Sequence, residues 1–265
     1  MGLGDDMMFL GEAERIHKET GKMITPVYGT GFNSLYDNVE FITKSGGLTV
    51  NARDTNKKSD VHVDYYEDRK EQTILGTRVV LRPYTPKPFR VRLHQSEIEA
   101  AEAILHNHGI KDFIVVNPDY KSSFYSENKR WGFKKWQELT DRLSEHKQVV
   151  RLRPQDSHYK EPILKNAINI NTSQIRSVAA LISKASMGVT YDGLLHHMFA
   201  GFGVPGVIIH GGLVSPEILS YDGMLYITYE HPETPCGSTF YCPHCVDANK
   251  KITVDMVYEK CLEQL

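Results

Sequence analysis

The stretch from Val189 to Pro205, Val-Thr-Tyr-Asp-Gly-Leu-Leu-His-His-Met-Phe-Ala-Gly-Phe-Gly-Val-Pro, limits the fold more than any other part of the chain. It opens on the end of an apolar run, Met187 to Thr190, and turns through Asp192-Gly193. A short helical pattern follows, which leaves at Gly203 and Pro205 into Gly206-Val207-Ile208-Ile209. Strand, acidic turn, helix, strand is a βαβ unit, and that unit demands a parallel sheet. Ligands of such sheets bind at the carboxyl ends of the strands, where a helix N-terminus offers free N–H groups and a partial positive charge. Asp192 stands at that place. Its negative charge suits sugar hydroxyls better than phosphate. The plainer alternative is that it caps the helix, since Asp is a favoured N-cap. One turn further on, His196 and His197 are adjacent, so both are not expected to face the core.

The pattern continues on either side. Phe113-Ile114-Val115-Val116 reads as a buried strand, followed by Asn117-Pro118 and a polar loop, Asp119 to Asn128. Lys129-Arg130-Trp131-Gly132 opens a helix that carries Trp136, Leu139 and Leu143. Val149 to Leu152 is the next strand. Thr172 or Ser173 is expected to cap a helix carrying Ile175, Val178, Ala179 and Ile182. The order from 113 to 210 is then β-α-β, a linker, and α-β-α-β, which is doubly wound. A strand ending in a serine-containing loop, with Lys and Arg at a helix start, suits a pyrophosphate. A basic surface turn is the alternative. After Ile209, His210-Gly211-Gly212 places glycine where backbone can approach a ligand.

The first half is less regular. Gly2-Leu3-Gly4-Asp5-Asp6 is a glycine-rich turn feeding a helix, with Met7, Leu10, Ala13 and Ile16 at helical spacing and Gly21 at its end. A plain helix entry capped by Asp5 or Asp6 is the alternative to a ligand-binding turn. Met23 to Val27, Val39 to Thr43, Leu48 to Asn51, Val61 to Tyr65 and Arg78 to Leu81 are short strand candidates. Asp54 to Asp68 reads as a charged surface loop, and Pro83, Pro86 and Pro88 break the chain. Ser96 as N-cap with Glu at N3 forms a capping box. The helix it opens runs to about Asn107 and stops at Gly109. The domain boundary is placed there, giving residues 1–109 and 110–265.

The formal net charge of −2 removes any global pull toward nucleic acid or anionic membrane. No apolar run is long enough to span a bilayer. The N-terminus carries Asp5 and Asp6 where a signal peptide needs basic residues, and Asp6 where a myristoylation site needs Ser or Thr. Four cysteines, three of them crowded near the end, suit reduced thiols in the cytoplasm. Those three, Cys236, Cys242 and Cys245, could hold a structural zinc, since Cys-x2-Cys is half of a usual site. His244 lies between two of them, where a tetrahedral site is cramped. Free or disulfide-bonded thiols are the alternative.

The spacing from Asp192 through His197 to Gly203 and Pro205 resembles the donor-site signature of glycosyltransferase family 9, the heptosyltransferase-like enzymes. Gly193-Leu194 stands where most of the family has Ser/Thr-Gly. Gly4-Asp5 is similar to the family's N-terminal Gly-Asp motif, and Lys129-Arg130-Trp131 to its Lys-x-Trp. The family's motif follows a first strand, which here is absent or trimmed. The resemblance implies an α/β protein of GT-B type: two Rossmann-like domains with parallel sheets facing a cleft, the N-terminal one reduced. Its last helix would pack back on the first domain. The implied activity is inverting transfer of a sugar from a nucleotide-sugar, ADP-heptose-like, to an acceptor hydroxyl. Asp5 would be the catalytic base. Lys129, Asp192, Gly193, His197 and Gly211 would hold the donor, with Lys121, Ser122 and Ser123 nearby. Without an Asp-x-Asp motif no divalent cation or other cofactor is required. The acceptor would be a glycan or lipid-linked glycan, or a modified nucleobase. The location would be cytoplasmic, peripheral at the inner membrane. Bringing Asp5 to the donor would need domain motion. Two other readings stay open: a nucleotide- or sugar-binding module without transfer activity, and a nucleotide-sugar epimerase or hydrolase of the same fold.

Overall fold

The computed structural model describes residues 2–28, 32–51, 59–62, 66–73, 76–81, 83–120, 126–155, 161–230, 232–238 and 240–265. Lys121, Ser122 and Ser123, and much of the charged loop after Asn51, lie outside them.

The strand–helix alternation of the second half closes into one sheet. It is formed by β6 (Phe113–Val116), β7 (Gln148–Pro154), β8 (Ile168–Thr172), β9 (Met187–Tyr191), β10 (Gly206–Gly211) and β11 (Met224–Thr228). The spatial order is β11-β10-β9-β6-β7-β8, with every pair parallel. The chain runs outward from β6 to β8, returns beside β6 as β9, and runs outward the other way. The strand order therefore reverses between β6 and β9, the place where open α/β sheets bind ligands. Phe113-Ile114-Val115-Val116 is buried along its whole length, as a strand covered on both faces must be.

Helices cover both faces: α3 (Phe133–Leu143) with α6 (Pro243–Lys251) and α7 (Val254–Leu262) on one side, α4 (Ile175–Ile182) and α5 (Leu194–Phe202) on the other. The last helix, α7, packs against α3 within the second half. Among the described residues its main partners are α3, β10 and β11, whereas the resemblance implied packing on the first half. β8 was read as linker. Among the described residues it is an edge strand that pairs only with β7, and its short alternation of Ile168 and Ile170 with Asn169 and Asn171 lacks the continuous apolar run of the strands buried on both faces. The cap of α4 is Gln174, not Thr172 or Ser173, because Thr172 still belongs to β8.

The first half begins directly in helix α1 (Leu3–Thr20), closed by Gly21 in the left-handed region. A small parallel sheet follows: β1 (Ile24–Tyr28), β2 (Leu48–Asn51) and β3 (Val61–His62). Val39 to Thr43 adds only an isolated bridge, Ile24 to Ile42, because Val39 and Phe41 point into the core. β4 (Tyr66–Thr73) and β5 (Gly76–Leu81) form a hairpin, so the charged segment turns into strand from Tyr66 on. Helix α2 (Gln95–Asn107) starts earlier than expected, capped by His94 with Glu97 at N3. Glu97 is taken by the main-chain N–H of His94 and by Arg176 of α4, which is why the box sits two residues upstream of Ser96.

Between the two halves lies the proline-broken segment, packed between helices. A Cβ on Gly11 of α1 would fall 1.9 Å from the Lys87 carbonyl, and one on Gly201 of α5 would fall 2.0 Å from the Phe89 carbonyl. Phe89 and Val91 are buried there, in one apolar cluster that runs from Met7 to Ile208.

Candidate active site

Asp192 follows β9 and Lys129 follows β6, so the order reversal of the sheet brings them together. Lys129 closes a single 3-10 turn, Ser126–Lys129. Its Nζ lies 2.5 Å from Asp192 Oδ2 and donates to the Asp192 carbonyl at 3.1 Å. Lys129 and Arg130 thus precede α3, whose N-cap is Gly132 at φ +102, a conformation that calls for glycine. Arg130 turns outward, to Glu161 at 3.1 Å and over the ring of Tyr120. Asp192 does not cap α5. The N-cap is Gly193, and the carboxylate is spent on Lys129, with His196 Nδ1 3.8 Å from its other oxygen.

Both histidines are buried, contrary to the expectation that one would face out. Helix α5 is sandwiched between the sheet and α1, so two of its faces are inward. His197 Nδ1 meets the Tyr221 hydroxyl at 2.7 Å, and His196 Nε2 meets the Tyr226 hydroxyl at 3.1 Å. The Tyr226 hydroxyl also accepts the Tyr221 main-chain N–H at 2.6 Å, so the two tyrosines form one support. His210, at the end of β10, stacks edge-on to Tyr226 at 4.9 Å and to His196 at 5.9 Å. Neither ring nitrogen of His210 makes a hydrogen bond of ordinary geometry among the described residues.

Burial sets the charges of this cluster. It lowers the His197 imidazole to about 3, helped by His196 beside it. Burial likewise lowers His210 to about 3. Both rings are therefore neutral near pH 7. Burial would raise the Asp192 carboxyl, but the Lys129 ammonium, with His196 at the other oxygen, outweighs it and holds the group well below the usual carboxylate range. Burial raises both tyrosines, which stay protonated donors. Asp192, His196 and His197 offer ligand atoms within 4.8 Å of one another. A metal there would have to displace the Lys129 ammonium from its carboxylate, so the cluster as built serves an ion pair.

The first turn of α1 closes over this floor. A Cβ on Gly4 would lie 2.9 Å from His197 Cδ2 and 3.7 Å from the Leu194 nitrogen. Gly4 is glycine because the imidazole occupies that space.

A family model described as glycosyltransferase family 9 (heptosyltransferase) matches residues 80–251. The chain belongs to glycosyltransferase family 9. Among solved structures, the family 9 glycosyl transferase from Veillonella parvula DSM 2008 is 12% identical at a TM-score of 0.68, over all of this chain and 94% of that one. The iron-containing dodecameric glycosyltransferase TibC from enterotoxigenic E. coli H10407 is 14% identical at a TM-score of 0.62, over all of this chain and 73% of that one. E. coli ADP-heptose lps heptosyltransferase II is 20% identical at a TM-score of 0.49, over 66% of this chain. This chain spans about half (53%) of that protein's length. No curated protein sequence matches. The fold is the α/β GT-B type that the resemblance implied.

Placed on this family 9 fold, the remaining expected residues divide. Asp5 sits at N3 of α1, next to Gly4, and its Oδ2 accepts the Gly2 N–H at 2.7 Å. Asp6, by contrast, is fully buried and binds Asn33 and Tyr36. Gly193 is extended and follows Asp192 directly. Gly211, at φ +59, admits a close neighbour, and that neighbour is Asn249 of α6, 2.7 Å from where its Cβ would be. The cysteine segment lies behind it. The sulfurs of Cys236, Cys242 and Cys245 lie within 4.8 Å of one another, those of Cys236 and Cys242 at 3.3 Å, and all four cysteines are free thiols. Hydrogen bonds from Cys245 and Cys242 lower the Cys236 thiol to about 6, the thiolate that a soft metal takes.

Tyr221, Tyr226, Asn128 and the buried Asp119–Arg151 pair were not foreseen. Arg151 grips Asp119 through Nε (2.9 Å) and Nη2 (2.6 Å), and Asp119 in turn offers its carbonyl to the Tyr191 hydroxyl at 2.5 Å. This braces the loop after β6 against β9. An arginine inside an apolar strand run was the only signal, and it names no partner.

Proposed function

We propose that this protein is an inverting glycosyltransferase that moves a sugar from a nucleotide-sugar, ADP-heptose-like, to an acceptor hydroxyl. The observation that carries this is the Lys129–Asp192 pair at the order reversal of the sheet, with the Gly4-Asp5 turn packed against the same helix start. The acceptor oxygen attacks the anomeric carbon and gives its proton to Asp5. The bond from that carbon to the diphosphate oxygen breaks, and the electron pair leaves with the diphosphate. Lys129 turns from Asp192 to the diphosphate, and the free N–H groups at the start of α5 share that charge. Asp192, freed, accepts from sugar hydroxyls beside Gly193. His197, neutral and held by Tyr221, fixes the turn. Lys129 and the helix amides do the work that a divalent cation does elsewhere, so no cofactor is needed. Residues 1–109 present the base and acceptor side, and 110–265 the donor side. The acceptor is a glycan or lipid-linked glycan, and the site of action is the cytoplasmic side of the inner membrane. Gly211 acts on the donor through the loop that Asn249 supports.

Cys236, Cys242 and Cys245 form a structural metal site in the same reading, with zinc as its ion. The three converging sulfurs fit it. The metal would hold the segment and take no part in transfer.

Thermal-shift screening with ADP-, UDP-, GDP- and CMP-linked sugars, wild type beside Lys129→Ala, tests the donor site. A donor at a hundredfold its Kd stabilises by about 2.7 kcal/mol. One nucleotide class should shift the wild type clearly more than the variant. A non-catalytic binding module separates at Asp5: Asp5→Asn should keep the shift and lose transfer, whereas a pure binder shows no transfer to lose.

A further inference from the structure

Asn128 precedes Lys129 in the same 3-10 turn and is fully buried. Its Oδ1 accepts the Cys242 main-chain N–H at 2.7 Å, and its Nδ2 donates to the Phe240 carbonyl at 2.7 Å. Its own carbonyl accepts from Asn249 Nδ2 at 2.9 Å, and the same Nδ2 donates to the Cys245 carbonyl at 2.9 Å. Every polar end of Asn128 for which a bond is described is therefore spent on the cysteine segment and α6, and none on the donor pocket. A single 3-10 turn has few internal hydrogen bonds, and those of poorer geometry than an α-helix's, so outside partners help to set its shape. The cysteine segment supplies the missing support.

We propose that Asn128 is a positioning residue that ties Lys129 to the Cys236–Cys245 segment, so that the order of this segment sets donor affinity. An amide is required because one end accepts and the other donates. The proposal rests on Lys129 being the donor's phosphate ligand, as proposed above.

Calorimetric titration of the full chain with ADP, UDP and GDP tests it. The variants are Asn128→Ala, Lys129→Ala, the double variant, and Cys236→Ser, which loosens the segment without touching Asn128. Asn128→Ala should weaken the tightest diphosphate roughly tenfold. In the Lys129→Ala background the same change should add less than about twofold, because the residue it positions is gone. Cys236→Ser should follow Asn128→Ala in direction. It stands in for that variant if thermal melts show Asn128→Ala unfolded at the assay temperature. A merely structural Asn128 would lower Tm and leave the Kd of the folded protein unchanged, and that result overturns the proposal. So does a penalty that persists without Lys129. If the wild type binds no diphosphate, the donor reading itself fails, and this proposal with it. Binding that is weakened in Lys129→Ala but unaffected by the other two variants refutes the positioning role alone.

Discussion

Lys129 and Asp192 hold each other where neither is fully wet: Asp192 is 6% exposed at its side chain and Lys129 22%. Removing one partner of such a pair leaves the other's charge uncompensated, a larger loss than the pair's own net worth. Lys129→Ala should therefore cost about 3 kcal/mol, the low end for a buried pair because Lys129 keeps some water. Without the ammonium, burial raises the Asp192 carboxyl, so the variant's deficit should shrink as pH falls and Asp192 protonates. Denaturant melts of both proteins at pH 8 and pH 5 measure this. The neutral histidines act on the wild type. Their folded values, about 3, lie below the unfolded value of 6.5, so the unfolded state binds more protons between those limits. Their contribution is complete above pH 6.5 and is lost as pH falls toward 3, at up to roughly 1.4 kcal/mol per histidine per pH unit. Proton uptake on unfolding at pH 5 should drop by about one in His210→Gln. Asp192 and His197 were legible in the sequence because a βαβ unit fixes its own turn. Tyr221, Tyr226 and Asn128 were not, because their partners come from other turns of the chain. The Asn128 amide bonds lie 112 and 114 residues apart, and nothing local marks them.

At the scale of elements, α5 decides the site. Its two histidines were expected to split between core and solvent, as they would on a helix with one buried face. The first turn of α1 covers the other face, and the Pro83–His94 segment wedges in where glycines leave room. Gly201→Ala would drive a Cβ to 2.0 Å from a main-chain carbonyl that cannot rotate away. The expected loss is about 3 kcal/mol, read as a lower urea midpoint at constant m-value. The elements missed in the sequence share one cause. β8 is an edge strand with asparagines, and β4 is a hairpin strand with charged residues, so neither carries the apolar pattern of a strand buried on both faces. Conversely, Val39 to Thr43 carries the apolar pattern because it is core, though it pairs only once.

At the scale of the molecule, the resemblance supplied the GT-B architecture, and the periodicity of residues 113–210 supplied the central sheet. Neither told how the halves meet. The cysteine segment packs against the turn that carries Lys129, and the metal proposed for it is directly testable. Purified protein should carry close to one soft divalent ion, and chelation or Cys242→Ser should release it and lower Tm. Elemental analysis beside a melting curve reads both. Among the described residues no helix is long and apolar enough to cross a membrane. The apolar cluster from Met7 to Ile208 runs unbroken across the position where the sequence suggested a boundary. A break after Gly109 therefore cuts through the core. If the chain were expressed as two pieces, 1–109 and 110–265, each would bare the surface that α1, α2, α4 and α5 now hide from water. The pieces should be insoluble apart and recoverable together, and any clone library or fusion that severs the chain there would lose the protein before it lost the chemistry.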